Sequence, residues 1–236
     1  MSIKYDGSKY YGFERLKNDP SVQKELEDAL TKINKKPVEI KGAGRTDRGV
    51  HAFDQKASFD LDVKIPTEKI ASAINALLSD YIYVNYVEEV SDDFHARFNC
   101  VSKKYSYFIN MGEYDPVSQD YVYNYCRKLN VGKMKKAAKY LVGMHSFEAF
   151  TAGERENYNS IIYKIHIHKN KDMLELNFFG KSFYRYMVRN IVGALIQVGE
   201  GKIEPIKIKE MLEKKKNITK YITAPPNGLY LVDVDY

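Results

Sequence analysis

The order of strand-like and helix-like segments along the chain is the feature that most restricts its fold. Apolar residues recur at helical spacing in some segments, whereas others alternate with a period of two or are rich in β-branched and aromatic residues. The predicted helices are 21–34, a segment after Pro66-Thr67, 131–142, 182–198 and 205–214. The predicted strands are 2–5, 38–41, 50–61, 82–90, 97–110, 161–169, 174–179 and 229–235.

This order divides the chain into two similar halves. Up to about residue 96 it runs strand, helix, strand, strand, helix, strand, and the remainder repeats it with one extra helix. The pattern predicts an α+β fold of two tandem ferredoxin-like, split-βαβ units, with domains 1–96 and 97–236. We expect them to share one mostly antiparallel sheet with helices on one face. The other face is then open to a flat, extended ligand such as RNA.

Composition excludes several classes of protein. Hydrophobic residues make up 44% of the chain and charged residues 29%, which argues against a mostly disordered protein. No apolar run approaches the roughly 20 residues that span a bilayer, so no membrane is expected as a partner. Cys100 and Cys126 are too few for a disulfide framework, which favours a soluble protein of a reducing cytoplasm. The net charge of +6 suits a nucleic-acid partner without establishing one.

A glycine-rich loop is the strongest candidate for chemistry. It runs from Lys41 to Ala52 and contains Arg45, Asp47 and Arg48 among its glycines. Two guanidinium groups beside a carboxylate favour its ionised form, and an ionised carboxylate with no metal ligands nearby has the character of a nucleophile. The alternative is a hairpin loop in which Asp47 makes only a local turn hydrogen bond.

The helix predicted after residue 182 is apolar around most of its circumference. Arg185 and Arg189 lie one turn apart at the margin of the apolar surface. A buried arginine requires a partner, so one of the two is expected to pair with a catalytic carboxylate in a semi-buried site. Alternatively, both arginines extend from the helix edge into solvent.

Two further clusters lie on predicted strands. Tyr105 and Tyr107 share a strand face close to lysines, which suits stacking on RNA bases, although cross-strand aromatic packing explains the pattern equally well. His166 and His168 also share a face, but no cysteine or carboxylate joins them at a ligand-like spacing. The sequence therefore predicts no zinc site, and the two histidines are interpreted as solvated strand residues.

Several motifs in sequence order resemble the TruA family of tRNA pseudouridine synthases, and the resemblance covers nearly the whole chain. The most specific is Gly44-Arg45-Thr46-Asp47-Arg48-Gly49-Val50-His51-Ala52. The others are Tyr5-Asp6-Gly7, Ser21-Val22-Gln23, Ala96-Arg97-Phe98, Lys104-Tyr105-Ser106-Tyr107, Gly143-Met144-His145-Ser146-Phe147, Met187-Val188-Arg189-Asn190 and Gly228-Leu229-Tyr230-Leu231.

The resemblance implies isomerisation of uridine to pseudouridine in the tRNA anticodon stem-loop, at positions 38 to 40. Asp47 matches the catalytic aspartate of the family, and Arg189 the basic residue paired with it. Tyr105 matches the tyrosine that stacks on the uracil, Leu229 the apolar residue under the base, and Arg45 the arginine linked to base flipping and backbone contact. The family uses no cofactor or catalytic metal. Its homodimer contacts one tRNA with both subunits.

The chain departs from the family pattern in places. Glu14 replaces a usual glutamine, Asn159-Ser160-Ile161 lacks a usual arginine, and Arg48 occupies a variable position. The alternative function is a non-catalytic RNA-binding protein on the same fold, which would keep Tyr105 but would not need Asp47 beside Arg189. A two-carboxylate glycosidase lacks its second carboxylate in these motifs.

Overall fold

The computed structural model describes every residue from Met1 to Tyr236 and has a mixed α+β fold. The helices are α1 (Val22–Asn34), α2 (Thr67–Asn75), α3 (Val131–Ala138), α4 (Met187–Gly199) and α5 (Ile206–Lys214). The strands are β1 (Ser2–Tyr5), β2 (Lys41–Gly42), β3 (His51–Ser58), β4 (Ile82–Tyr86), β5 (Ser102–Asn110), β6 (Tyr123–Asn124), β7 (Gly143–Ser146), β8 (Asn159–Asn170), β9 (Met173–Gly180) and β10 (Leu229–Asp235). None of the helices has the length and apolar character needed to cross a membrane.

The chain forms two compact units. The first consists of Met1–Val101 together with Tyr230–Tyr236, and the second of Ser102–Leu229. The predicted domains 1–96 and 97–236 are each continuous in sequence, whereas the packing places the C-terminal strand with the first unit. A strand that pairs with a distant part of the chain cannot be assigned from its position in the sequence.

The first unit is built around β1 and β3. β1 is antiparallel to both β3 and β4, β2 is antiparallel to β3, and β10 adds in parallel through Tyr230 and Leu231. On α1, Leu26 and Leu30 are fully buried, as the helical spacing predicts. Ser21 precedes α1, but its Oγ accepts a hydrogen bond from the Leu16 amide and makes no cap bond to the helix.

The second unit has an antiparallel sheet in the order β5, β9, β8, β7, with β6 parallel to β5. Nearly every residue of α4 is buried, which explains its continuous apolar character. The sequence missed β6 and β7, because strands this short and only partly buried leave no alternating pattern. Both units therefore have mostly antiparallel sheets, and the tandem ferredoxin-like arrangement stays a prediction.

Several predicted elements are shorter in the structure, among them the strands predicted over 82–90 and 97–110, which are β4 and β5. For two others the local cause is visible. The strand predicted over 38–41 is reduced to β2, since the Val38 and Ile40 amides donate to side chains of α1, Thr31 and Glu27, instead of joining a ladder. The helix predicted from residue 182 begins at Met187, because Tyr186 has a left-handed backbone with φ of 61°. Arg185 therefore precedes α4 and does not lie one helical turn from Arg189 on it.

A close approach of two backbones on α4 gives a test of this packing. A Cβ at Gly193 would lie 2.0 Å from the Ile222 carbonyl oxygen, so Gly193→Ala requires the backbone to move. We expect a loss of about 1–3 kcal/mol in unfolding free energy, seen as a Tm lower by roughly 2–12 °C. The matched control is Gly132→Ala on α3, where the new methyl group meets only ordinary contacts. A Gly193→Ala protein as stable as the control would contradict the packing.

Candidate functional site

The glycine-rich loop between β2 and β3 is anchored by the segment that follows β1. The Phe13 amide donates to the Thr46 carbonyl at 3.1 Å, and the Thr46 Oγ1 lies 2.8 Å from the buried Tyr5 hydroxyl. Gly12 has a φ of 113°, and a Cβ there would lie 2.8 Å from the Thr46 carbonyl oxygen. The middle of the loop is therefore held rigidly although it has no regular secondary structure.

Asp47 follows Thr46 directly and is half-buried. Its carbonyl accepts a hydrogen bond from the Val50 amide at 3.1 Å, which closes a turn. The preceding part of the loop is held by Gln55, whose Nε2 donates to the Gly44 carbonyl at 2.9 Å. The carboxylate is thus carried on a backbone that is fixed on both sides, which is the arrangement that a positioned nucleophile or base requires.

The two arginines of the loop have partners other than Asp47. Arg45 Nη2 lies 2.5 Å from Glu14 Oε1, and both side chains are substantially exposed. The Arg48 guanidinium carbon lies 3.9 Å from the centre of the Tyr11 ring, a cation–π contact. The sequence predicted two guanidinium groups beside Asp47, and it contained no signal that Glu14 and Tyr11 would engage them, since both partners come from a separate segment.

His51 is a supporting residue that the sequence analysis did not identify. It is buried, and its Nδ1 accepts a hydrogen bond from the Gly7 amide at 3.1 Å. The same Nδ1 lies 3.3 Å from Asp6 Oδ1, so the ring is held against the segment that follows β1. Its ring also stacks on Tyr230, with centroids 4.6 Å apart. The sequence did place His51 near the end of the loop motif, and the structure shows that it contacts Gly7 of the Tyr5-Asp6-Gly7 motif.

Arg189 lies in the first turn of α4 and is half-buried. Its Nε donates to the Ala224 carbonyl at 2.8 Å, while its own carbonyl accepts from the Ala224 amide at 3.1 Å. The Tyr186 ring centre is 4.9 Å from the Arg189 guanidinium carbon and 5.0 Å from that of Arg185. The structure therefore holds Arg189 in a defined position, whereas Arg185 is exposed.

The tyrosines of β5 lie on the buried face of the sheet. Tyr107 is fully buried and donates its hydroxyl to the Pro225 carbonyl at 2.7 Å. Burial raises the pKa of Tyr107 well above its usual value, with a smaller opposing effect from Arg189, so the hydroxyl remains a donor. Tyr105 is 8% exposed and meets the Phe183 ring edge to face, with centroids 5.2 Å apart. Tyr107 is therefore a core residue, and of the two interpretations of this strand the packing one applies to it.

Leu229 is buried at the start of β10, directly after a short 3₁₀ turn over Pro226–Gly228. Of the residues predicted for the site, Arg45 and Asp47 belong to the first unit, and Tyr105, Arg189 and Leu229 to the second. Within the second unit, Arg189 lies close enough to Tyr107 to influence its pKa. The first unit therefore supplies a carboxylate and a guanidinium group, and the second unit supplies a guanidinium group and an aromatic ring.

Comparison with known proteins gives matches over almost the whole chain. A family profile described as tRNA pseudouridine synthase matches residues 1–99 and 137–236. A protein named tRNA pseudouridine synthase A from a Thermoanaerobacter species is 40% identical over 237 residues, covering 99% of this chain and 97% of the relative. Proteins of the same name are 43% identical over 237 residues in Thermosipho africanus and 42% identical over 242 residues in Listeria monocytogenes, each with the same coverage of both chains.

The anchor between Tyr5 and Thr46 generates a stability test. Tyr5→Phe and Thr46→Val each remove one partner of a buried hydrogen bond, and each is expected to lower the unfolding free energy by about 1–3 kcal/mol. The double variant should lose less than the sum of the two, because the single variants break the same bond. Urea unfolding of the four proteins measures the coupling. Strictly additive losses would show that the two hydroxyls do not interact.

Proposed function

The chain belongs to the tRNA pseudouridine synthase family, and from this premise we propose that it isomerises uridine to pseudouridine in the tRNA anticodon stem-loop, at positions 38, 39 and 40. The observation that carries the proposal is the Gly44–Ala52 loop, which presents the half-buried Asp47 on a backbone anchored by Phe13 and Tyr5. Isomerisation of a nucleoside depends on a carboxylate held at a fixed position relative to the reacting sugar and base.

The reaction exchanges one bond of the ribose for another. The N-glycosidic bond breaks, the uracil turns, and its C5 forms a carbon–carbon bond to the same sugar carbon. C5 then loses a proton and N1 gains one, so the product is an isomer of the substrate. Electrons balance without an oxidant or reductant, so we propose that the reaction needs neither cofactor nor metal. The uridine must leave the base stack to be reached. Asp47 serves either by attacking the sugar or base, or by removing the C2′ proton, and both routes need an ionised carboxylate.

We propose that Arg189 is the partner of Asp47 in catalysis. A guanidinium carries five N–H donors, so its bond to the Ala224 carbonyl is compatible with a further bidentate contact to a carboxylate. The reciprocal bonds between Arg189 and Ala224 hold that guanidinium in one orientation. An arginine beside Asp47 would keep the carboxylate ionised despite partial burial.

The remaining site residues are proposed to hold the flipped uridine. Tyr105 would stack on the uracil and Leu229 would support the base from below, and the near-complete burial of both side chains suits an enclosed base. Arg45 is exposed on the loop, which suits contact with the RNA backbone. We propose that two tandem ferredoxin-like units form the RNA-binding cleft, because β1, β3 and β4 already have antiparallel pairing of that kind.

The protein is further proposed to act as a cytoplasmic homodimer. A subunit of 27.3 kDa offers limited surface for an L-shaped tRNA, so two subunits would share the contact. Light scattering at micromolar protein, with a mass twice that of the chain, is the expected result.

Asp47→Asn tests the catalytic assignment. The variant changes the charge and hardly the shape, so it should abolish tritium release from tRNA labelled at uracil C5 while leaving tRNA binding within about tenfold, since phosphate contacts dominate the affinity. The matched control is Asp28→Asn, which removes an exposed carboxylate of the same unit that pairs with Lys24. A folded Asp47→Asn protein with more than a few per cent of the wild-type rate would remove Asp47 from the mechanism and favour an RNA-binding protein without catalysis.

Tyr105 provides a test of stacking. Tyr105→Phe should keep most of the activity if the ring is the functional part, whereas Tyr105→Ala should lose far more, because a base–aromatic stack is worth ~1–3 kcal/mol. Single-turnover rates on a tRNA transcript measure the difference, with circular dichroism to verify folding. Equal losses in the two variants would assign the function to the hydroxyl.

The Glu14–Arg45 pair predicts a gain in binding. Glu14→Gln releases the Arg45 guanidinium and removes a carboxylate that repels phosphate, so tRNA should bind roughly two- to fivefold more tightly at low salt, as expected for an exposed ion pair worth up to ~1 kcal/mol. The gain should be smaller in an Arg45→Met background, where only the lost repulsion remains, and it should be absent in Asp28→Asn. Weaker binding by Glu14→Gln would instead mean that Glu14 holds Arg45 in its productive position.

A further inference from the structure

The positive charge of the chain is concentrated in two segments of the second unit. Residues 130–146 and 159–171 contain no aspartate or glutamate, and together they carry seven lysines. These positive charges exceed the +6 net charge of the whole chain, so all the other residues taken together are slightly acidic. The lysines are Lys133, Lys135, Lys136, Lys139, Lys164, Lys169 and Lys171.

The two segments meet in the fold. The first contains α3 and the second contains β8, and the two border a groove of about 270 Å³. The groove is lined by the charged or polar residues Lys135, Lys139 and His166 and by the apolar residues Ala138, Val142, Ile165 and Ile167. Lys136, Lys164, His168 and Lys169 are also exposed. We name the surface formed by the exposed lysines and histidines of the two segments the α3–β8 basic face. It continues around the edge of β8, because Lys164, His166 and His168 alternate along the strand with Ile165 and Ile167.

Most of this charge is not neutralised by the protein. Lys133 pairs with Glu204 at 3.0 Å, whereas Lys135, Lys136, Lys139 and Lys164 form no ion pair. The contrast is α5, which also has three lysines but gives each a glutamate partner. Lys207 and Lys214 lie near Glu210, and Lys209 lies near Glu213. A helix of paired charges is typical of a solvated surface, whereas a cluster of unpaired like charges repels itself and is relieved by an anionic partner.

The strand that borders the groove adds a linear edge. β8 pairs with β7 only over Asn159–Ile162, so from Tyr163 to Asn170 it has β9 alone as a neighbour. This stretch extends over roughly 25 Å at the usual rise of a strand. Of the acidic residues nearby, Asp172 pairs with Lys128, whereas Glu175 accepts a hydrogen bond from the neutral amide of Asn177. An extended, anionic polymer fits such a surface better than a compact ligand.

We propose that the α3–β8 basic face binds the phosphate backbone of the tRNA substrate, as a contact that the second unit makes in addition to those at the catalytic loop. The choice of tRNA rests on the proposed function. Lysine ammonium groups act as mobile point charges that bind phosphates regardless of sequence, and they contribute affinity through release of counterions. The face would therefore set how tightly tRNA is held, and leave the choice of uridine to the catalytic loop.

The test compares two triple variants that each remove three positive charges from the second unit. Lys135→Gln/Lys139→Gln/Lys164→Gln removes three charges from the basic face, and Lys207→Gln/Lys209→Gln/Lys214→Gln removes three from α5 in the same unit. Binding of an unmodified tRNA transcript is measured by fluorescence anisotropy at several salt concentrations. The first variant should bind about tenfold more weakly, with a slope of log K against log salt smaller by ~2–3, whereas the control should change by less than one unit of slope. Thermal unfolding should be unchanged in both.

Several results would overturn the proposal. Equal losses of tRNA affinity in the two variants would mean that only the net charge matters. Unchanged tRNA binding in the first variant would contradict the proposal, and a loss of poly-glutamate binding in that variant would then assign the face to an acidic protein. At saturating tRNA, the basic-face variant should release tritium at the wild-type rate, and a lower rate would place these lysines in the chemical step. Failure of the wild-type protein itself to release tritium would contradict the proposed function, and the binding comparison would still decide whether this face binds RNA.

Discussion

The hydrogen bond from the Phe13 amide to the Thr46 carbonyl is the contact on which the first unit depends. Gly12 and Phe13 also contact the start of α1, since their carbonyls accept hydrogen bonds from the Val22 and Gln23 amides. Residues 12 and 13 therefore join the start of a helix to the middle of an irregular loop. The loop acquires the rigidity of regular structure without belonging to a helix or strand, and only glycine at position 12 permits the close approach.

A comparable clamp positions Arg189 in the second unit. Residues 222–224 lie against α4, where Gly193 admits the Ile222 carbonyl and Asn190 accepts from the Thr223 hydroxyl at 2.7 Å. Arg189 and Ala224 then exchange two hydrogen bonds. The buried apolar surface of α4 supplies the stability, and these polar contacts at its first turns fix the direction of one charged side chain.

Charge is distributed differently on the two units. The loop arginines are engaged by Glu14 and Tyr11, so any RNA phosphate must compete with an existing partner. Lys135 and Lys136 of α3 have no such competitor, whereas Lys133 pairs with Glu204. In physical terms, the first arrangement favours discrimination, because only a well-placed anion displaces an ion pair, and the second favours affinity, because a diffuse cation cluster accepts phosphates in many positions.

The sequence by itself determined the family, the order of the main helices and strands, and the candidate residues Asp47, Arg189, Tyr105, Arg45 and Leu229, because these depend on local patterns and on motifs that are contiguous in the chain. It also predicted the buried face of α1 through Leu26 and Leu30. Only the tertiary structure decided that Tyr186 delays the start of α4, that Val38 and Ile40 donate to α1 side chains, that β10 packs with the first unit, and that Glu14 pairs with Arg45. Each of these depends on a partner in another segment or on a single backbone angle, and the periodicity of apolar residues reports neither.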